Sequence, residues 1–440
     1  MQDMLKLINM KIGIIGGSDG LGKTLIYYFR DEFDVTITAR DHKKGRNVAS
    51  EANVGYIESN KELASISDIL IISVPINHTA DVIKEVAPFM KKDSLMIDVT
   101  SVKEEPLKAM EESLDKNVEF IPTHPIFGPR TTELDNQVIV LTPTDKGKWY
   151  DKVYNYLSSK NMRIIETTAE HHDYMMSVVQ VLTHFSFIST ASAMEKLKVN
   201  ITETEDYESP IYNLMIDMIA RIVSQNPYLT YYIQSMNNNG ENIRNAFSEA
   251  VLELRDAINN EDSDKFVEIA IKATKNMGDI QNALGRSDKA ITGLNHEINI
   301  LYDSIGEEIG LEHIYSGKVH VGILEKVVDA KTAILDNETN LRIANIKVLT
   351  PEELYQWKVD NYYKKESHIS CVFSENVIPN IIVETLEKID NIIEVRLTDI
   401  YQGPQIADGY KSLTFKINAI SKDAINDVEK VLTGFGGTIR

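Results

Sequence analysis

Between Lys11 and about Ile165, short apolar runs alternate with amphipathic stretches. The runs are KIGIIGG, FDVTITAR, DILIISVP, SLMIDVT, VEFIPTHP, QVIVLTP and MRIIETT. The first four are almost continuously apolar, as strands covered on both faces must be, and each leads into a turn or a helix. Strands alternating with helices in this way predict a doubly wound, Rossmann-like α/β domain over residues 10–165.

From Thr167 to about Asn340 the apolar spacing becomes helical and proline becomes scarce. Thr167 and Glu170 have the spacing of a capping box, opening a long helix through HHDYMMSVVQVLTHFSFISTASAM. IYNLMIDMIARIVSQ, NIRNAFSEAVLELRDAINN and SDKFVEIAIKATKNMGDIQNAL read as further amphipathic helices. Such long apolar stripes are buried against each other or against a second subunit, so residues 166–340 are expected to form an all-α dimerisation domain of a homodimer. After the mixed stretch IANIKVLTPEELYQWKV comes a compact tail. It reads strand HISCVF, helix IPNIIVETLEKI, strand IIEVRLTDIY, strand KSLTFKINAI, helix DAINDVEKVLTGF and a short end GGTIR. That βαββαβ order predicts a ferredoxin-like α+β module over residues 341–440.

A chain of 440 residues suits two or three such domains. Its 46 basic and 66 acidic side chains leave a formal charge of −20. That argues against nucleic acid as a general partner, because phosphate contacts need a basic surface. A small anionic substrate needs only a local basic pocket. Cys371 is the sole cysteine, which removes intrachain disulfides and thiolate metal clusters from consideration. No metal-ligand cluster is visible, and no catalytic metal is expected. The opening MQDMLKLINMK is too short in apolar residues for a signal peptide, and nothing approaches the roughly 18 apolar residues of a membrane span. A cytoplasmic protein without a membrane partner is expected, with residues 1–9 an extension or an alternative start.

The first turn carries two conflicting signals. Gly17-Ser18-Asp19-Gly20-Leu21-Gly22-Lys23-Thr24 fits the phosphate-loop pattern GxxxxGK[ST] at each fixed position. Asp98, closing the run LMID, could then serve magnesium. The same stretch is a dinucleotide fingerprint with Gly17 and Gly22 as outer glycines and Asp19 at the middle position. On that alternative Gly16, Gly17, Ser18, Asp19, Gly20, Leu21 and Gly22 cradle a pyrophosphate at a helix N-terminus. The second strand ends at Arg40, where an NAD site carries a carboxylate; an arginine suits a 2′-phosphate. Lys43, Lys44 and Arg46 follow, so NADP is favoured over NAD, although Asp41 could serve a ribose. Ser73, Val74 and Pro75, closing LIISVP, would line the cofactor.

The later strands decide between the two. Ser101-Val102-Lys103, His124-Pro125-Ile126-Phe127-Gly128-Pro129 and the helix run from Glu170 through Phe185 resemble the prephenate dehydrogenase family, also called cyclohexadienyl or arogenate dehydrogenases, over about residues 10–290. Asp19 is a departure, since most members carry glycine there. The resemblance implies oxidative decarboxylation of prephenate, or of arogenate, with hydride passing to NAD or NADP, in tyrosine biosynthesis. It makes His124 the catalytic histidine. The residues alone agree in part: His124 ends a strand where α/β sites gather, and a neutral imidazole can accept a hydroxyl proton, yet a histidine before proline can equally be a turn residue. Ser101 is expected to hydrogen-bond His124 or the substrate hydroxyl, or else to cap the next helix. Arg221 falls on the family's substrate-binding arginine and suits a carboxylate; its alternative partner is Asp217, one turn earlier. Asn213 stands where some members carry a further arginine. Gln180 and His184, four apart on one helix face, are assigned to the substrate side. His172 lies about 18 Å from His184 along a straight helix and is assigned to structure or the cofactor side.

The tail LTDIYQGPQIADGYKSLTFKI with FGGTIR resembles the ferredoxin-fold anticodon-binding domain of phenylalanyl-tRNA synthetase. From His368 onward, seven basic against ten acidic residues balance poorly for RNA. Tyrosine as a feedback effector, or dimerisation, is the expected role. Two further functions stay open: another reductase of this architecture, and a cofactor-sensing regulator without turnover.

Overall fold

The computed structural model describes residues 10–131, 133–204, 207–362 and 364–440. Segment 1–9, expected to be an extension or alternative start, lies outside them. The chain divides into two compact units, with the boundary between Gly278 and Asp279.

The first unit is built on one eight-stranded sheet. Its strands are β1 (Lys11–Ile15), β2 (Asp34–Thr38), β3 (Gly55–Tyr56), β4 (Ile69–Ile72), β5 (Leu95–Asp98), β6 (Glu119–Pro125), β7 (Val138–Leu141) and β8 (Arg163–Glu166). They lie in the order β3-β2-β1-β4-β5-β6-β7-β8. All neighbours are parallel except β6 and β7. Successive isoleucines explain the two covered faces. Ile14 enters a core with Ile26, Ile37 and Val48, while Ile15 enters another with Leu63, Ile72 and Ile83. The connecting helices are α1 (Gly20–Phe29), α2 (His42–Ala52), α3 (Asn60–Ile66), α4 (Ile76–Val86), α5 (Glu104–Ser113) and α6 (Lys148–Ser159). Strand order reverses between β1 and β4, and in open α/β sheets ligands bind outside the strand ends at such a switch point. This is the Rossmann-like domain expected. The two-residue β3 was not foreseeable from periodicity.

Helices follow: α7 (Ala169–Met176), a π-helical segment Ser177–Leu182, α8 (Thr183–Lys196), α9 (Ile201–Thr204), α10 (Pro210–Val223), α11 (Pro227–Ser235), α12 (Gly240–Asn259) and α13 (Ser263–Asn276). The expected Thr167–Glu170 capping box does not form. Thr168 is the cap, accepting from the His171 amide, because the helix starts one residue later. A small core of Ile76, Val102, Val181 and Ile233 joins these helices to the sheet domain. Elsewhere their apolar stripe is open: Ile211, Val223, Val251, Phe266 and Ile271 are all exposed.

The second unit opens with α14 (Ile280–Asp303). The helical pattern read to Asn340 stops there. Five antiparallel strands follow: β9 (Glu308–His313), β10 (Val319–Val328), β11 (Thr332–Leu335), β12 (Asn340–Arg342) and β13 (Ile346–Val348), in the order β12-β11-β10-β9-β13. Their charged outward positions break the apolar runs, so only alternation within VHVGILEKVV betrays them. After α15 (Pro351–Asn361) come β14 (Lys365–Ser374), α16 (Pro379–Leu386), β15 (Ile392–Tyr401), β16 (Tyr410–Ala419), α17 (Lys422–Gly434) and β17 (Thr438–Ile439). This is the expected βαββαβ module, with sheet order β15-β16-β14-β17 and a core around Phe373, Phe415 and Val428. No helix among the described residues is long and apolar enough to cross a membrane.

Candidate functional site

The glycine loop is set by packing on both sides. Gly16 has φ +89°, and a Cβ there would sit 2.1 Å from the Ser73 carbonyl oxygen. On Gly17 it would lie 2.8 Å from Ile37, and on Gly22 2.3 Å from the Gly16 carbonyl oxygen. The loop is thus pressed against the ends of β4 and β2, with α1 resting on it. Gly20, at φ +50°, has open space where a side chain would project. Ser18 and Leu21 are half-buried, and Ser73, Val74 and Pro75 follow β4 on the neighbouring edge. An open mouth over a helix N-terminus suits a phosphate-bearing ligand.

A triphosphate site does not fit. Lys23 leans to Glu51 at 3.8 Å, and Asp98 is wholly buried in an ion pair with Lys103. At the end of β2, Arg40 is exposed and makes no ion pair among the described residues. Lys43 is exposed as well. The Asp41 carboxylate caps α2 by accepting from the Lys44 amide at 3.0 Å. Arg46 pairs with Glu58.

His124 lies near the end of β6, 3% exposed. Its Nδ1 is 2.9 Å from His172 Nε2. His172 Nδ1 is 2.7 Å from Asp173 Oδ1. The Asp173 carboxylate also accepts from the backbone amides of Lys103 at 2.8 Å and Glu104 at 3.0 Å. These contacts fix the proton positions. A carboxylate already accepting two amides takes a third donor, so His172 carries its proton on Nδ1 and accepts at Nε2. His124 then donates from Nδ1, and its Nε2 keeps a free lone pair. Gln180 Nε2 stands 3.3 Å from that lone pair. Burial, and after it the neighbouring His172 and the Lys103 ammonium, hold His124 well below the ordinary imidazole range, so it is a neutral base near pH 7.

Lys103 is fully buried, and its ammonium donates to Asp98 and to the Thr123 carbonyl oxygen at 2.6 Å. Burial lowers its pKa against the pull of Asp98. The ammonium clamps β5 to β6 directly before His124. Breaking one partner of a buried pair leaves an uncompensated charge, so this clamp is costly to disturb.

The π-helical segment explains why one helix reaches both nitrogens of His124. A regular helix turns about 100° per residue, leaving Gln180 about 80° round from His172. The wider π turns bring it back, and such segments frequently mark functional sites. His172, assigned to structure or the cofactor side, bonds His124 directly and supports it. Gln180 does belong to the cluster. His184 is buried, its pKa lowered by burial, with no hydrogen bond to His124. Gln180 Oε1, His184 Nδ1 and Asn77 Oδ1 are buried without hydrogen-bond partners. Buried polar atoms are normally satisfied, so the unpartnered Gln180 Oε1 beside His124 fits a polar ligand.

Ser101 is half-buried and makes no hydrogen bond to His124, whose nitrogens are taken by His172 and Gln180. Nor does Ser101 cap α5; the Asp173 carboxylate occupies those amides. Arg221 is exposed on α10 and is not paired with Asp217. Neither the His124 cluster nor any carboxylate within hydrogen-bond reach meets it among the described residues. The sequence reading missed Asp173 and the Lys103–Asp98 pair. An Asp beside the helix histidine and a lysine directly after Ser101-Val102 were the available signals. No cluster of His, Cys, Asp or Glu that could hold a metal occurs among the described residues.

The chain matches the sequence model "Prephenate dehydrogenase, nucleotide-binding domain" over residues 28–166 and "Prephenate dehydrogenase, dimerization domain" over residues 168–272. It is 39% identical to a Methanocaldococcus jannaschii protein named "Probable arogenate/prephenate dehydrogenase", covering 99% of this chain and 100% of that one. It is 30% identical to the T-protein of Haemophilus influenzae over 53% of this chain and 57% of that one. Its fold resembles a crystal structure of prephenate dehydrogenase from A. aeolicus, solved with hydroxyphenyl propionate and NAD+, with a TM-score of 0.50 at 18% identity, over 62% of this chain and 98% of that one. With both family domains in sequence around the His124 cluster, and with a relative matching end to end, the chain belongs to the prephenate dehydrogenase family.

Proposed function

We propose that this protein is a homodimeric enzyme that converts prephenate to 4-hydroxyphenylpyruvate and carbon dioxide, reducing NAD(P)+ in tyrosine biosynthesis. The supporting observation is the line Asp173–His172–His124, which leaves an unprotonated Nε2 on a buried, neutral imidazole. The loop from Gly16 to Gly22, with Arg40, Lys43, Ser73, Val74 and Pro75, would hold the dinucleotide, which when bound supplies the hydride acceptor. Arg40, exposed and unpaired at the end of β2, favours NADP. Arg221, His184 and Gln180 would hold the substrate.

His124 Nε2 takes the hydroxyl proton as hydride leaves the same ring carbon. The proton returns to that oxygen as carbon dioxide departs and the ring becomes aromatic, so no net proton is released. His172 and Asp173 spread the charge that His124 gains. Aromatisation drives the reaction, so the protein has mainly to orient and polarise. The open stripe on α10, α12 and α13 supports a dimer through these helices. A tyrosine-sensing role for the βαββαβ module rests on the analogy with ferredoxin-like modules that bind amino acids as regulators, and is tested by adding tyrosine to the assay. The deciding experiment follows reduced nicotinamide at 340 nm with prephenate and with arogenate. Turnover of neither substrate would overturn the proposal.

A further inference from the structure

Asp19 stands where a dinucleotide fingerprint carries glycine, and it is not idle. Its Oδ1 accepts from the Gly20 amide at 3.0 Å. Its Oδ2 is 2.5 Å from the ammonium of Lys44, which lies in the first turn of α2. The pair bridges the β1–α1 turn to the β2–α2 turn. Both side chains are largely exposed, at 81% for Asp19 and 49% for Lys44. Exposed pairs of this kind add little to stability, so the fold does not require it. Lys44 holds the Asp19 carboxyl below its usual range.

In a dinucleotide fold the residue closing β2 meets the adenosine ribose, the group that distinguishes NAD from NADP. Here Arg40 follows β2 by two residues, and Lys44, the partner of Asp19, comes four residues after it in the first turn of α2. Asp41 is engaged as the α2 cap. Resting on the nicotinamide-dependent function proposed above, we propose that the Asp19–Lys44 pair sets which dinucleotide this protein holds. Asp19 occupies Lys44 and lays a negative charge beside the 2′ position. A 2′-phosphate is admitted only by taking Lys44 from the carboxylate. A 2′-hydroxyl leaves the pair intact. Asp19 thus moderates the preference for NADP that Arg40 and Lys43 would otherwise impose.

The test is calorimetric titration of NAD+ and NADP+ into the wild type, Asp19→Asn, Lys44→Gln and the double variant, at one salt concentration. Asparagine keeps an acceptor for the Gly20 amide but removes the charge. Asp19→Asn is expected to shift the ratio of the two dissociation constants about tenfold toward NADP. Lys44→Gln should shift it toward NAD, and by more in the Asp19→Asn background, where the ammonium is free for phosphate. A ratio that stays within about twofold of wild type in Asp19→Asn, or moves toward NAD, overturns the pair's role. A wild type that binds neither dinucleotide overturns the nicotinamide function itself. Binding of both with an unresponsive ratio leaves that function standing and removes only this inference.

Discussion

Replacing Asp173 by Asn probes the proton line without touching the reacting ring. The carboxylate accepts three donors: two backbone amides, at 2.8 and 3.0 Å, and His172 at 2.7 Å. The two amides sit on different oxygens, so the single asparagine oxygen keeps one of them; with it on the Glu104 amide, the side-chain N–H takes the Oδ1 place beside His172 and the Lys103 amide loses its partner. His172 must then accept at Nδ1 and carry its proton on Nε2. His124 accepts at Nδ1 in turn, and its proton moves to Nε2, the atom required as base. The base is inverted while every ring stays in place. Loss of correctly presented general base catalysis costs about 10²–10⁴-fold in kcat, and the same substitution in a Ser-His-Asp triad costs about 10⁴. Stability should fall only by about 1–3 kcal/mol for the imperfectly paired group. The assay is steady-state reduction of NAD(P)+ at 340 nm, with dinucleotide affinity by calorimetry and tautomers by ¹⁵N resonances of the histidines. Wild-type turnover within threefold, or an unprotonated His124 Nε2 in the variant, would refute the argument.

Five further outcomes are expected. His124→Asn should lower turnover by about 10²–10⁴-fold with dinucleotide binding retained, and near wild-type turnover would remove it from the mechanism. Because His124 is held well below the usual imidazole range, the acid limb of kcat/KM should lie well under about pH 6.5; the unfolded chain binds that proton first, so stability should also fall as pH drops below the same value. Arg40→Asp should weaken NADP more than NAD, and a wild type that already prefers NAD tenfold or more would contradict this. Arg221→Gln should raise the KM for prephenate with melting temperature unchanged, since no Asp217 pair is lost; a lowered melting temperature with unchanged KM would return it to the scaffold. Light scattering should find a dimer at micromolar concentration, the open stripe of α10, α12 and α13 being covered; a monodisperse monomer would count against it.

Much of the fold is local, and local patterns carry it. Ile14 and Ile15 point to opposite cores because a strand alternates, and four such runs with intervening helices leave little choice but a doubly wound sheet. Gly16, Gly17 and Gly22 were legible as a turn, and the order of strands and helices after His368 was enough for the βαββαβ module. Where strands are half-exposed, as from Glu308 to Val348, charges dilute the alternation, and the helical reading of that stretch does not hold.

The site was legible in its parts and not in its wiring. From the residues alone His124 reads as a strand end, and Gln180 as sharing a helix face with His184. The sequence could not show that His172 is the partner, because the meeting of α7 with the end of β6 is made only by packing. Asp173 is separated from Lys103 by 70 residues, and Asp19 from Lys44 by 25. Such contacts depend on how strands order in the sheet and on where helices begin. Those are properties of the packed molecule, since no periodicity links two polar side chains that meet only after the apolar faces around them have been buried.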